Sequence, residues 1–356
     1  MAMKILHLIP RFSAGGAEQL VLAYAKSLRE LGCLVAIGSV VGGGELEDKF
    51  RETGAEIFIG KNKGFVNFYR NYKNYKEIIK KLKIEIIHSH VFSADVMGFL
   101  LARKLKIKWV STQHNVEANA PTSRKIVWKK ILRSADKVIA VSEAVYDFCL
   151  REWRLPKDRV ALVKNGIELE QWLAVSADGL FATSQLRLAT IGRLEKQKGH
   201  EILLRALAEL KTDWRLDVFG DGSLNEELRS LSRKLNIENK IAWRGVVLDL
   251  PRELSKIDVI IQPSLWEGMS LVVMEAMASG RVVIASESAA AGLIENNKTG
   301  LVVKTADVDT LARVIASVAS DRVAARSLAV SARQHALECF DIQNNLNSVA
   351  DLYVKI

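Results

Sequence analysis

Short apolar runs alternate with longer amphipathic segments along almost the whole chain, and they do so in two series. The first series is KILHLI (4–9), LVAIGSVV (34–41), AEIFIG (55–60), IEIIHSH (84–90), KWVSTQH (108–114), KVIAVS (137–142) and VALVKNG (160–166). Helical patterns lie between the runs, the clearest being AEQLVLAYAKSLRELG (17–32), which stops at Gly32. Strands without polar alternation are buried on both faces, and strands alternating with helices give a mostly parallel sheet covered on both sides. The series pauses over LEQWLAVSADGLFATSQ (169–185), which has little periodicity and several small polar residues. A linker is expected there, at 171–185. A second series follows: RLATIGRL (187–194), WRLDVFG (214–220), KIAWRG (240–245), VIIQPS (259–264), RVVIAS (281–286) and GLVV (300–303). A chain of 356 residues suits two domains at roughly 100–200 residues each. The expected fold is therefore α/β, with two Rossmann-like doubly wound domains, 1–170 and 186–339, facing across a cleft.

Composition narrows the setting. No apolar run approaches the roughly 20 residues a membrane span needs. The N-terminal MAMKILHLIPRF has no small-residue cleavage site and reads as a first strand, not a signal peptide. Cys33, Cys149 and Cys339 are far apart and odd in number, as expected of free thiols in a reducing cytoplasm. No two cysteines stand at metal-ligand spacing from one another, and no structural zinc is expected. The net charge of +10 favours anionic partners. Part of that excess is local, with eight basic residues and one acidic residue in 61–83.

In open parallel sheets, ligands bind outside the carboxyl ends of the strands, so residues there carry the argument. After the first strand of the second series comes IGRLEKQKGH. Gly192 lets the backbone turn, and Arg193 and Lys198 lie five residues apart where a helix begins. Two cations at a helix N-terminus suit a phosphate-bearing ligand, although two solvated surface cations would read the same way. Gly15 and Gly16 precede the first helix, with Ser13 nearby; they permit either close approach to a ligand or simply a flexible turn. His88, His90 and His114 end two strands, and an H-x-H pair on one strand face is compatible with metal ligation. No acidic or thiol partner is close in sequence, so His114 reads better as a hydrogen-bonding residue or a satisfied structural histidine. FGDGSLNEE (219–227) carries Gly220 in G-x-G-x-x-N, which lacks the third glycine of a dinucleotide fingerprint, and no NAD is inferred. In ADVDT (306–310), Asp307 or Asp309 is expected to cap the following helix, not to bind a metal.

The segment WEGMSLVVMEAMASG (266–280) is more pointed. LWEGMS reads as a loop and LVVMEAMAS as a helix stopped near Gly280. The free backbone N–H groups near Gly268, Met269, Ser270 and Leu271, with the positive end of the helix dipole, suit a diphosphate. Glu267 lies just before this anion site, and Glu275 about a turn inside the helix, roughly 6 Å along at 1.5 Å per residue. A carboxylate accepts bonds from hydroxyls and repels phosphate, so acids on both sides of an anion site suit a ligand with hydroxyls on both sides of a diphosphate. A nucleotide sugar has that shape. A helix-dipole role for Glu267 and a surface position for Glu275 remain open on spacing alone.

PSLWEGMSLVVMEAMASGRVVIAS resembles the E-x7-E signature of the retaining glycosyltransferases of family 4. SAGGAEQ, IIHSHVFSADVMG, STQHN, ADKVIAVSEAV, VKNGIE, IGRLEKQKGH, FGDGSL and NKTGLVV resemble further family segments, in order, over essentially the whole chain. The resemblance implies the two-domain GT-B fold, with a C-terminal helix, about 340–356, crossing back to the first domain. It implies that Arg193 and Lys198 neutralise the donor diphosphate and that Glu275 holds the ribose hydroxyls. Glu267 would contact the transferred sugar, and His114 the sugar or departing phosphate. Gly16 would offer backbone near the phosphates or acceptor, and Gly192, Gly220 and the 268–271 turn would complete the donor site. Such enzymes typically need no metal or other cofactor, because cations and helix termini do that work.

One departure stands out. SAAAGLIE (288–295) occupies the place of a family G-G-x-x-E segment, with alanines for glycines and Gly292 at the usual Glu position. The implied reaction moves a hexose-type sugar, with retention, from a UDP-sugar, or next a GDP-sugar, to a glycan or lipid-linked acceptor. Polysaccharide or lipooligosaccharide assembly is the implied setting. A sugar-nucleotide epimerase or phosphorylase of the same fold and a non-catalytic nucleotide-sugar-binding subunit are the rivals. Phe65, Phe68, Tyr69, Tyr72, Ile79 and Leu82 fall at helical spacing among the cations of 61–83. They form either a packing stripe or a peripheral contact with an anionic membrane at the inner cytoplasmic face. No nucleic-acid partner is expected, since no such module appears.

Overall fold

The computed structural model describes residues 3–61, 64–116 and 120–356, so residues 62 and 63 of the basic stretch and the first two residues of the N-terminal run lie outside it. The chain forms two compact units: Met1–Asn165 together with Ile342–Ile356, and Gly166–Asp341.

The first unit holds seven parallel strands: β1 (Lys4–Ile9), β2 (Leu34–Ser39), β3 (Glu56–Ile59), β4 (Ile86–His90), β5 (Lys108–Gln113), β6 (Lys137–Ala140) and β7 (Val160–Leu162). Their order is β3-β2-β1-β4-β5-β6-β7, so the winding direction reverses between β1 and β4. The second unit holds β8 (Leu186–Ile191), β9 (Trp214–Phe219), β10 (Ile241–Gly245), β11 (Val259–Gln262), β12 (Val282–Ser286) and β13 (Leu301–Val303). Their order is β10-β9-β8-β11-β12-β13, with the reversal between β8 and β11. The expected doubly wound α/β architecture is found in both units, and each apolar run named from the sequence contains one of these strands.

The reason is legible in side-chain alternation within the strands. Val259 and Ile261 of β11 and Val282 and Ile284 of β12 join the core on one side of the second sheet. Ile260, Val283 and Ala285 join the core on the other side. Both sides are apolar because helices cover both. In the first unit the helix Gly16–Glu30 buries Leu20, Val21, Tyr24 and Leu28, an i, i+4 stripe, in a core shared with the C-terminal helix Ile342–Val354. Leu346, Val349, Leu352 and Tyr353 of that last helix are buried there.

Two expectations are corrected. The stretch 171–185 is not a free linker: Trp172, Val175, Leu180 and Phe181 are buried within the second unit. Its polar residues disguise three anchors. Arg281, fully buried, donates to the carbonyls of Ser176, Ser279 and Ile257; Arg333 donates to those of Leu173 and Val175; and Asp258 accepts the Phe181 N–H at 2.6 Å. The aromatic stripe of 61–83 also divides. The helix Phe65–Leu82 buries Asn71, Tyr75 and Ile79 against the first sheet, whereas Phe65 and Tyr69 are 87% and 53% exposed. Asn71 is buried because it caps loop backbone, donating to Val40 O and Lys61 O.

Candidate active site

In the second unit the sequence-predicted residues collect at the reversal between β8 and β11. Gly192 ends β8 with φ +144, a conformation in which side chains are strained. The Lys198 side chain lies over it, 3.2 Å from where a Cβ would stand. Gly220, after β9, packs still more tightly: a Cβ there would fall 2.0 Å from Gly192 O. These glycines let two backbone segments and the Lys198 side chain crowd together. Gly199, at φ +66, similarly has no room for a Cβ, which would meet Pro263 O at 2.1 Å. That contact joins the start of the helix His200–Ala208 to the end of β11.

Lys198 Nζ donates to Glu267 Oε1 at 2.6 Å, and both side chains are nearly buried, 15% and 8% exposed. Ser264 Oγ also donates to Glu267 Oε1, at 2.7 Å, and Gln262 Nε2 donates to Ser264 Oγ at 3.2 Å. A polar chain thus runs from β11 to the Glu267 carboxylate. Arg193 is exposed, and no polar partner holds it among the described residues. Gly268 is buried, and Met269 and Leu271 are partly exposed around Ser270, the N-cap residue of the helix Leu271–Ala278. Ser270 does not cap that helix with its side chain. Among the described residues its hydroxyl is buried without a partner, as are Thr190 Oγ1, Gln262 Oε1 and both ring nitrogens of His200. Buried polar atoms are normally paired, so this concentration at adjacent strand ends and two helix starts marks a place built for a polar ligand. Glu275 is only partly exposed, and burial pushes its carboxyl up to about 7.

In the first unit Gly16 opens its helix. A Cβ on Gly15 would stand 2.4 Å from Glu18 Oε2, so a side chain there would push the Glu18 carboxylate aside. Glu18 is buried and accepts from Ser13 Oγ at 3.4 Å. His114, just past β5, is partly exposed, and its Nε2 lies 3.0 Å from His90 Nδ1. Burial lowers His114 to about 4, so the ring is neutral. Val91, which follows β4, has φ +72 and ψ 157, a region normally reserved for glycine.

The structure therefore brings together Arg193, Lys198, Gly192, Gly220, Glu267, Gly268, Met269, Ser270, Leu271 and Glu275 in one unit, and places Gly16 and His114 in the other. Pairing of Lys198 with Glu267 was not expected from spacing. Ser264, Gln262, Thr190 and His200 were also missed. The available signal was polarity in apolar strands: a Thr and a Gln near the ends of β8 and β11 have no packing reason to be there. Asp307 accepts the Thr310 N–H at 2.9 Å, the capping role expected of it. The 288–295 segment starts within a short helical turn, Glu287–Ala290, that buries Ala289 and Ala290, and its Gly292 takes φ +71.

Comparison with known proteins agrees with this layout. A family model described as Glycosyltransferase Family 4 matches residues 14–171, and one described as Glycosyl transferases group 1 matches residues 185–321. The chain is 25% identical over 299 residues to the UDP-Gal:alpha-D-GlcNAc-diphosphoundecaprenol alpha-1,3-galactosyltransferase of Escherichia coli, covering 78% of this chain and 77% of that one. Anabaena Alr3699/HepE in complex with UDP-glucose superposes with a TM-score of 0.90 at 20% identity, over 99% of this chain and 100% of the other. A glycosyltransferase from Rickettsia africae ESF-5 superposes with a TM-score of 0.82 at 24% identity, over 99% of this chain and 98% of the other. Two matched family segments on two doubly wound units, with polar ligand-binding features at the strand ends where such folds bind, lead to one conclusion: the chain is a transferase of GT-B fold that belongs to the group 1 glycosyltransferases.

Proposed function

We propose that this glycosyltransferase takes a hexose-type sugar from a UDP-sugar and passes it, with retention and without a metal, to a hydroxyl of a glycan or lipid-linked acceptor. The observation that carries the reading is the Lys198–Glu267 pair, surrounded by unpartnered polar atoms at the β8/β11 reversal. The named donor of the E. coli relative and the ligand of the Anabaena structure support uridine as the base. The lipid diphosphate in the relative's name supports a lipid-linked acceptor.

In this reading Arg193, which has no polar partner among the described residues, meets the diphosphate first. Lys198 is shared between Glu267 and the leaving phosphate, and the N–H groups at Ser270 and Leu271 take further phosphate oxygens. Glu275 accepts from the ribose hydroxyls, and Glu267 from the transferred sugar. The C1–O bond to phosphate breaks and a new C1–O bond forms on the same face of the sugar. The acceptor hydroxyl proton passes to the departing phosphate oxygen. His114 contacts the sugar or that phosphate, with Gly16 near the acceptor. The exposed Phe65, Val66 and Tyr69 beside Arg70 and Lys73 support peripheral contact with an anionic membrane at its cytoplasmic face.

The test is direct. Incubation of the protein with UDP-, GDP- and ADP-sugars in the presence of a chelator, using lipid-diphosphate-linked sugar acceptors, should give an alkali-stable α-linked product from one UDP-sugar. Transfer only from GDP- or ADP-sugars, or only after Mg²⁺ is restored, would refute the donor and metal parts of the reading respectively.

A further inference from the structure

Four histidines gather in the first unit, and three of them form a chain across neighbouring strands. His7 lies within β1, His90 ends β4 and His114 follows β5. In the register of the sheet His7 lies beside His88, and His90 beside Thr112. Each link of the chain therefore steps two residues toward the carboxyl edge. His7 Nδ1 meets His90 Nε2 at 3.2 Å, and His90 Nδ1 meets His114 Nε2 at 3.0 Å. The inner end, His7 Nε2, is buried without a polar partner among the described residues. The outer end, His114 Nδ1, belongs to the one partly exposed ring. His88 stands beside the chain, its ring stacked on His90 at 4.3 Å, with its own nitrogens taken by Tyr353 Oη and Thr112 Oγ1.

Counting protons orients the chain. Burial lowers His7 to about 3 and His114 to about 4, and holds His90 well below its ordinary value, so all three rings are neutral. A neutral imidazole has one N–H and one bare nitrogen. Two contacts shared by three such rings can be made in only two ways: every N–H points inward or every N–H points outward. The inward arrangement puts a proton on His7 Nε2, leaving a buried donor with no acceptor, which costs on the order of 1–3 kcal/mol. The outward arrangement leaves an unpaired acceptor there instead; among buried backbone groups the orphaned N–H is the rarer kind, and we extend that asymmetry to the ring. It places the last proton on His114 Nδ1.

We infer that His7 and His90 are positioning residues that lock His114 in its neutral Nδ1–H tautomer, so that His114 meets a ligand oxygen as a hydrogen-bond donor and not as a base. Joined to the glycosyl-transfer reading, this makes the oxygen that of a sugar hydroxyl or a phosphoryl group. It also leaves the acceptor's proton to the departing phosphate, because the bare Nε2 of His114 is taken by His90 and its Nδ1 already carries a proton.

The experiment uses the full chain carrying ¹⁵N-labelled histidine, with its six rings assigned by single substitutions and read by long-range ¹H–¹⁵N correlation at neutral pH. The expected pattern for His114 is a protonated Nδ1 and a bare Nε2. The reverse pattern, or an imidazolium, overturns the inference. His90→Asn sets its amide nitrogen near the place of Nδ1 and should preserve both the His114 pattern and turnover. His90→Leu removes the donor and should move His114 toward the Nε2–H form, with kcat falling about tenfold, the effect of one lost hydrogen bond, at little change in KM. An unchanged His114 pattern in His90→Leu overturns the role of His90. Coordinated shifts of His7, His88 and His90 on adding Zn²⁺ would instead make this a metal site and equally overturn it. If the tautomer pattern appears but no UDP-sugar is turned over, the lock stands and the glycosyl-transfer reading fails.

Discussion

Replacing Glu275 by Gln should stabilise the protein while weakening its hold on a nucleotide. Glu275 lies in an otherwise apolar helix, Leu271–Ala278, whose other inward residues are fully buried. Its carboxylate has no polar partner among the described residues, and desolvation raises its pKa from 4.5 to about 7. At 1.36 kcal/mol per unit, that shift amounts to about 3 kcal/mol held against the folded, ionised state. The sign follows from linkage: the folded state holds its proton more tightly than the unfolded chain, so stability falls as pH rises from the unfolded value through the folded one. The cost is small near pH 5 and nearly complete near pH 8, a difference of about 2.5 kcal/mol between the two. Glu275→Gln removes the titration. Urea unfolding should therefore show the variant more stable than the parent at the higher pH, with the gap narrowing by about 2.5 kcal/mol at the lower. Parallel curves at the two pH values would refute the reasoning. A ligand that donates two hydroxyls to the carboxylate offsets its desolvation, and the variant should bind UDP about 1–3 kcal/mol more weakly, measured by calorimetry.

Three further outcomes are expected. Arg193→Ala should lower turnover by at least tenfold and leave the melting temperature within about a degree, because the exposed side chain holds nothing else in place; equal activity in the variant would remove Arg193 from the reaction. Asp258→Ala should cost about 3–5 kcal/mol of stability. Its buried carboxylate accepts from Phe181 N, Arg187 N and the Arg187 guanidinium, and a loss below 1 kcal/mol by urea unfolding would contradict that accounting. Val91→Gly should stabilise by about 1 kcal/mol, since a β-branched residue at φ +72 and ψ 157 is strained where glycine is not; a destabilised variant would show that the valine side chain outweighs its backbone cost.

The central strands were legible because they are apolar runs buried on both faces, as in 282–286, where every residue is buried, whereas Glu56–Ile59 and Ile241–Gly245, at sheet edges, are only partly covered and were legible from composition and flanking turns. The attention to Arg193, Lys198, Glu267 and Glu275 followed from the rule that parallel sheets bind ligands at their carboxyl ends, and of these Lys198 and Glu267 meet in the structure. Three things were hidden. Segment 171–185 looked like a linker because its order comes from Arg281, Arg333 and Asp258, which are distant in sequence. The buried face of 65–82 includes Asn71, whose place is decided by loop carbonyls that a hydrophobic pattern cannot show. The histidine chain depends on strand order: His7 and His90 are neighbours only because β1 lies beside β4, although a lone His in KILHLI was a visible oddity.

The placement of residues 342–356 carries a consequence for biosynthesis. The second unit is one continuous stretch, whereas the first needs its last helix, which buries Leu346, Val349, Leu352 and Tyr353 in its core and sets Tyr353 Oη against His88. As the chain leaves the ribosome, the first sheet must wait with an uncovered apolar face while the whole second unit emerges and folds. The usual order, in which the N-terminal domain finishes first, is reversed, and the half-made first unit is the species most open to aggregation and most in need of a chaperone.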